Sequence, residues 1–118
     1  MNTKIIGDIA VIYSEEPLIT DAQTALDLTA TVYYEHNVTK MAINKEAISE
    51  GFFKLSTGFA GKVVQKFVNY HFSVAVIGDY SKYTSKPLKD YMYECNNGNH
   101  LFFVASEDEA VQKLKGLE

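Results

Sequence analysis

An open α/β sandwich, with a mixed sheet of about five strands and about four helices, is the fold class that this chain predicts, and three observations lead to it. Two β-branched runs at the start, Thr3 to Ile6 and Ile9 to Tyr13, are separated only by Gly7-Asp8, which is the signature of a tight hairpin. After that hairpin, strand-like runs alternate with stretches of helical spacing. Parallel strands joined in this way need right-handed crossovers. The run Val74-Ala75-Val76-Ile77 shows no polar alternation, as expected of a strand covered by helices on at least one face.

Each element follows in order. Thr20 with Gln23 forms a capping-box pattern, and Ala22, Ala25, Leu26, Thr29, Val32 and Tyr33 then recur at helical spacing as far as His36-Asn37. Val38 to Ile43 reads as the next strand. Asn44 to Lys54 reads as an irregular connection whose Ile48, Phe52 and Phe53 fold back onto the core. Helix two is expected over about Thr57 to Tyr70, with Ala60, Val63, Val64, Phe67, Val68 and His71 on one face. Val74 to Ile77 is expected to be the central strand. Asp79 to Ser85 leads into a third helix with Pro87 in its first turn, Leu88, Tyr91, Met92 and Cys95 on one side, and Asn97-Gly98 as its stop. Leu101 to Ala105 is the last strand, and Ser106 with Glu109 caps a short terminal helix carrying Ala110, Val111 and Leu114.

Composition narrows the function classes. The 118 residues are 47% hydrophobic, enough for one domain (residues 1–118) with a core that needs no staples. Cys95 is the single cysteine, so a disulfide framework is excluded. That lone thiol, with no leader-like apolar segment, predicts a cytoplasmic protein, and no run is long enough to be a membrane span. Eleven basic against 15 acidic residues give a formal charge of -4, which repels phosphate backbones and argues against nucleic acid as a partner. Every basic residue is lysine, so anion recognition has to use ammonium groups or backbone N–H groups in place of guanidinium forks.

The order of elements resembles the STAS domain, the module named for sulfate transporters and anti-sigma factor antagonists. The likeness rests on Ser56-Thr57-Gly58, which stand on the last three positions of that family's Asp-Ser-Ser-Gly or Asp-Ser-Thr-Gly turn, on Val74 to Gly78, and on Leu101 to Ser106 with Glu109-Ala110. Leu55 stands where that family carries aspartate. A second resemblance is to a bacterial family known as domain of unknown function number 4180. It is carried by Ile19-Thr20-Asp21, Phe52-Phe53, Thr57-Gly58, Gly61, Gln65 to Tyr70, Gly78-Asp79, Tyr83 to Lys86 and Tyr93-Glu94. The STAS resemblance implies a STAS-like open sandwich and a protein-binding or regulatory role.

Two constellations are candidates for function. Ser56, Thr57 and Gly58 form a hydroxyl-bearing turn at a helix start, where unpaired N–H groups and the helix dipole favour negative charge. They make a candidate phospho-switch or anion site, because a phosphoserine there would add roughly 1.5 to 2 negative charges beside Lys54 or Lys62. The alternative is a plain N-cap worth about 1 kcal/mol, with Gly58 and Gly61 letting helix and sheet approach closely. The second constellation lies beyond the carboxyl end of the presumed central strand, where open α/β sheets place ligands. Lys45, Asp79, Tyr80, Tyr83, Ser85 and Lys86 are its candidate ligand pocket, suited to a small anionic or polar ligand. The alternative there is a solvated loop, with Asp79 tied to backbone N–H groups and Ser85 or Thr84 capping helix three.

No cofactor and no metal are expected, because His36, His71, His100 and Cys95 share no ligand spacing. Gly-x-Ser-x-Gly, Ser-x-x-Lys and His-Glu-x-x-His are absent, and Ser56 to Lys62 departs from a phosphate-binding loop at its first glycine and at Val63. The eight tyrosines exceed what so small a core must bury, so Tyr34, Tyr70, Tyr80, Tyr83 and Tyr93 are candidates for a contact patch. These features describe a non-enzymatic cytoplasmic module that acts through a protein partner or self-association by way of the Ser56 turn and helix two. A small-molecule sensor or uncommon enzyme using the Asp79 to Lys86 loop with Lys45 is the alternative.

Overall fold

Gly7 adopts a positive φ of 61°, which sets a two-residue turn with glycine in its first central position and pairs β1 (Asn2–Ile6) antiparallel with β2 (Ile9–Tyr13). The computed structural model describes residues 1–117. Beyond the hairpin the order is α1 (Ala22–His36), β3 (Lys40–Asn44), α2 (Phe59–Asn69), β4 (Ser73–Ile77), α3 (Lys86–Asn96), β5 (Leu101–Val104) and α4 (Glu107–Lys115). The sheet runs β1-β2-β3-β4-β5, with β2 to β5 mutually parallel, so the expected mixed sheet of five strands with four helices is present.

This sequential order decides where the helices lie. Each crossover steps one strand in the same direction, so a common right-handed rule puts all three crossover helices on one face. Burial agrees. Ala10, Ile12, Met41, Ile43, Val74, Val76, Leu101 and Phe103 pack with Ala25, Val32, Val63, Phe67 and Leu88 in one core. The alternate residues Ile9, Val11, Ala42, Ala75, Phe102 and Val104 pack with Ala110, Val111 and Leu114 of α4 in the other. Strand β4 is therefore covered on both faces, as its unbroken apolar run implies. The middle of the sheet is β3, and β4 lies beside it. Met41-Ala42-Ile43 is equally apolar but shorter, hence less conspicuous in the sequence.

Helix one starts one residue later than its hydroxyl pattern suggests. Asp21 is the cap: its carboxylate accepts from the Thr24 N–H at 2.7 Å, while Thr24 Oγ1 accepts from the Asp21 N–H at 3.1 Å. The aspartate outcompetes Thr20 because the Thr24 hydroxyl closes a reciprocal box that Gln23 does not. Leu28 joins the buried face, and Tyr33 does not. Ser85 caps α3 and Ser106 caps α4 as expected, accepting from the N–H groups of Leu88 and Glu109.

The connection from Asn44 to Gly58 winds through three short 3₁₀ turns, Lys45–Ala47, Glu50–Phe53 and Leu55–Thr57. It buries Ile48, Phe52 and Phe53 as expected. A parallel bridge between Ile19 and Ile48 ties it to the segment entering α1. Lys40 fastens the opposite end of the sheet, its ammonium 3.3 Å from Asp8 in the hairpin turn and 3.0 Å from the Leu117 carbonyl.

Among the described residues α4 is the one helix on its face, so its anchor should be costly to remove. Leu114→Ala, at a fully buried position, is expected to destabilise the fold by about 2–5 kcal/mol in urea unfolding. A loss below about 1 kcal/mol would mean that α4 contributes little to that core.

Candidate functional site

The crossover helices run back against the strands, so α1, α2 and α3 all begin at the rim where β2 to β5 end. That rim is closed first by Asn44. Its side-chain amide accepts from the Ser14 N–H at 2.9 Å and donates to the Ser14 carbonyl at 2.7 Å, continuing the β2–β3 ladder with a side chain in place of backbone. Both residues are buried, and the same amide reaches Glu46 at 3.2 Å.

Next to it, the chain stacks rings. Phe53 and Tyr83 lie nearly parallel with centroids 4.8 Å apart, and Tyr80 and Phe103 meet edge to face at 5.6 Å. The Lys45 ammonium sits 5.5 Å from the Phe53 ring and 5.2 Å from that of Tyr83. Its stem crosses the end of β4 at Gly78, where an added Cβ would fall 2.7 Å from Lys45 Cβ. Glycine is required there for close approach, not for an unusual φ. Tyr83 donates to Glu50, whose carboxylate also takes the Lys82 ammonium at 2.6 Å. Glu50 and Lys82 thus clamp the loop after β4 onto the 3₁₀ turn before α2. Glu50 lies outside both expected constellations, because its contact with Tyr83 spans 33 positions and leaves no local spacing to read, whereas Lys82 falls within the expected Asp79 to Lys86 loop.

The electrostatics follow from these contacts. Partial burial works against ionisation of Glu50, but hydrogen bonds from Lys82 and Tyr83, aided by the Lys45 charge, outweigh it and hold the carboxyl below its ordinary value. Burial, then the Glu50 acceptor, pushes the Tyr83 phenol above the usual tyrosine range. Burial does the same to Tyr80, which donates to the Val76 carbonyl at 2.5 Å. Burial also raises the Cys95 thiol, which makes it a poor nucleophile.

The six expected pocket residues therefore divide. Lys45, Tyr80 and Tyr83 come together around Phe53. Asp79 is exposed and accepts from the Ser81 N–H at 2.9 Å, which holds its carboxyl below the ordinary value. Ser85 is spent on the α3 cap, and Lys86 pairs with Asp90 at 2.7 Å on the helix surface. Among the described residues the Lys45 ammonium has no carboxylate partner within ion-pair distance, and no buried side-chain nitrogen or oxygen is left unpaired. No group of acidic, histidine and cysteine side chains is arranged to hold a metal ion, and no helix is long and apolar enough to cross a membrane, again among the described residues.

The Ser56 turn differs from its expected geometry. Helix α2 begins at Phe59, not Thr57, and Gly58 occupies the cap position with φ 74°, a conformation open to glycine. Leu55–Thr57 form a 3₁₀ turn ahead of it. Thr57 is committed to that turn: its hydroxyl donates toward the carbonyls of Lys54 at 2.8 Å and Gly51 at 3.1 Å, and accepts from the Phe59 N–H at 3.2 Å. Ser56 is exposed, and no hydrogen bond involves its hydroxyl among the described residues. Neither Gly58 nor Gly61 lies against another segment, since a Cβ at either would meet nothing within 4 Å. The close helix-to-sheet approach expected of them is absent.

The candidate tyrosine patch is likewise split. Tyr80 and Tyr83 belong to the rim cluster. Tyr34, at 91% exposure, and Tyr70 stand at the other end of the sheet with Tyr33, beside a groove of about 1160 Å³ between the last turns of α1 and α2. Tyr93 is exposed on α3.

Residues 5–114 match the family described as Domain of unknown function (DUF4180), and the chain belongs to that family. No curated protein matches the chain. Among solved structures the chain is similar to one titled "Structure of the Anti-Sigma Factor Antagonist SpoIIAA in its Unphosphorylated Form", with 14% identity, 98% of each chain covered and a TM-score of 0.47. At that distance neither a role nor a partner passes from one protein to the other.

Two outcomes are expected at the rim. Gly78→Ala should destabilise the fold by about 1–3 kcal/mol in urea unfolding, because Lys45 Cβ cannot swing away as the tip of a flexible chain can. Because the folded Glu50 pKa is lowered, its contribution is present above the ordinary value of 4.5 and is lost as pH falls through the folded value. The stability gap between wild type and Glu50→Gln should therefore be open at neutral pH, at under about 1 kcal/mol for so exposed a group, and close in acid. A gap that persists in acid would contradict the clamp.

Proposed function

We propose that this member of the DUF4180 family is a non-enzymatic, STAS-like regulatory module of the cytoplasm that binds another protein through the Ser56 turn and the outer face of α2. The observation that carries this reading is the contrast between two adjacent hydroxyls. Thr57 is tied into its own turn, whereas Ser56 is exposed and unengaged, held in place by a neighbour that does the structural task. A rigid turn offering one free hydroxyl suits recognition or modification better than capping.

The surroundings support it. The outer face of α2 presents Lys62, Gln65, Val68 and Asn69, a mixed polar surface with one exposed apolar residue. A phosphoryl group on Ser56 would add roughly 1.5 to 2 negative charges close in sequence to Lys54 and Lys62 and ahead of the first N–H groups of α2, enough to change what the surface accepts. Catalysis has little support at this rim, since Glu50, Lys82 and Tyr83 are turned onto one another and the half-buried Cys95 thiol stands at the far end of α3. The second reading, a sensor for a small anionic ligand or an uncommon enzyme at the Asp79 to Lys86 loop, keeps one observation in its favour: the Lys45 ammonium rests on aromatic faces without a carboxylate.

Affinity capture from the native host with wild type, Ser56→Ala and Ser56→Asp tests the proposal. All three should be equally stable within about 0.5 kcal/mol, because Ser56 caps nothing. A partner held by wild type and Ser56→Ala should be weakened at least about tenfold by Ser56→Asp. Identical partners and affinities for all three, with Ser56 unmodified in native protein by mass spectrometry, would overturn it.

A further inference from the structure

The two edges of the sheet are treated differently. At the β5 edge, Asn96 of α3 lays its amide along the strand: Oδ1 accepts from the Phe103 N–H at 2.7 Å and Nδ2 reaches the Phe103 carbonyl at 3.4 Å. That side chain occupies the place of a sixth strand. Nothing comparable covers β1. In a two-residue hairpin the pair flanking the turn is hydrogen-bonded, and pairing alternates outward from it. Ile6 opposite Ile9, Lys4 opposite Val11 and Asn2 opposite Tyr13 are thus the bonded pairs. The N–H and C=O groups of Thr3 and Ile5 point away from β2, and no bond from them to any other segment occurs among the described residues. Ile5 is 45% exposed.

We infer that β1 is a self-association edge, at which a second copy of this chain adds its own β1 antiparallel across a two-fold axis to make one continuous ten-stranded sheet. The register follows from the outward groups. Thr3 opposite Ile5 of the second copy, and Ile5 opposite its Thr3, uses all the free N–H and C=O groups of both residues and puts Lys4 on the axis, in a non-bonded pair with its own counterpart. Two lysines face to face would ordinarily forbid the joint, and lysine on an edge strand is a common guard against it. Here Glu107 at the start of α4 holds the Lys4 ammonium at 3.0 Å on the same face of the sheet. Across the axis, two lysines and two glutamates form a neutral four-charge cluster. In this register the charges of the two copies balance, so the edge lysine does not oppose a second copy of the chain. This joint lies away from α2, so it is independent of the Ser56 reading and leaves that surface free on both copies.

Sedimentation equilibrium on the whole chain tests the inference. Wild type is expected to show reversible, concentration-dependent dimers. Thr3→Pro removes an outward N–H without touching a bond to β2, so it should leave the circular dichroism spectrum unchanged and weaken the dimer at least about tenfold. Glu107→Gln should weaken it too, and more at low salt, where unshielded lysines repel most. Lys4→Cys with Cys95→Ser gives a readout that does not depend on the proline variant folding, since non-bonded antiparallel partners lie about 4.5 Å apart at Cα, within disulfide reach. Mild oxidation should cross-link it through position 4. A wild type that stays monomeric at every concentration, or dimers indifferent to Thr3→Pro with no cross-link at position 4, would overturn the inference and leave the edge to a strand of some other protein or to solvent.

Discussion

Strand order is the constraint from which most of this molecule follows. Because β1 to β5 sit side by side in chain order, each parallel crossover turns the same way and lays its helix on the same face. One side of the sheet carries α1, α2 and α3, and the other is left to α4, which is no crossover and was free to go there. The same geometry gathers the carboxyl ends of four parallel strands and the starts of all four helices at one rim. Helix starts offer unpaired N–H groups, so the rim is where polar chemistry collects.

The rim uses that chemistry mainly to hold itself. The Asn44 amide extends a ladder that the backbone has left, and Glu50, Lys82 and Tyr83 pin one loop to another across a ring stack. Such a network gains its value from being nonlocal: each contact closes a loop whose ends would otherwise move independently. What is not consumed stands out against it. Ser56 and the Lys45 ammonium are among the polar groups at the rim that the internal contacts leave over, and the two functional readings rest one on each. The same logic of satisfied and unsatisfied groups distinguishes the two sheet edges, one blocked by Asn96 and one open at Thr3 and Ile5.

Much of the fold was legible because its signals are local. Gly7-Asp8 between two β-branched runs specifies a hairpin, Ser85 with Pro87 specifies a helix start, and Ser106 stands three residues before Glu109. Where two local signals compete, the expected boundary and the observed one differ by one or two residues. Thr20 and Asp21 are both good caps, and only the Thr24 hydroxyl decides between them. The hydroxyls of Ser56 and Thr57 suggest the cap of α2, but Gly58 takes the left-handed conformation that turns the chain into the helix, at the least steric cost of the three. The 3₁₀ turns between Lys45 and Thr57 are too short to show a period, although the three apolar residues expected to fold inward there do so. The site was less legible than the fold. Lys45, Tyr80 and Tyr83, grouped by their place after strands, do lie together, whereas Asp79, Ser85 and Lys86, grouped on the same ground, are spent on a turn, a cap and a surface pair. Residue type and position along the chain do not reveal which polar groups will find partners.

The central claim is that this rim, and not the tyrosine-lined groove at the other end, is the surface offered to a partner. Amide chemical-shift mapping of the labelled chain with its captured partner tests it most directly. Perturbations concentrated on Leu55 to Gly58 and the outer face of α2 are the predicted result. Perturbations concentrated on Tyr33, Tyr34, Tyr70 and His71, with the Ser56 turn unmoved, would contradict it.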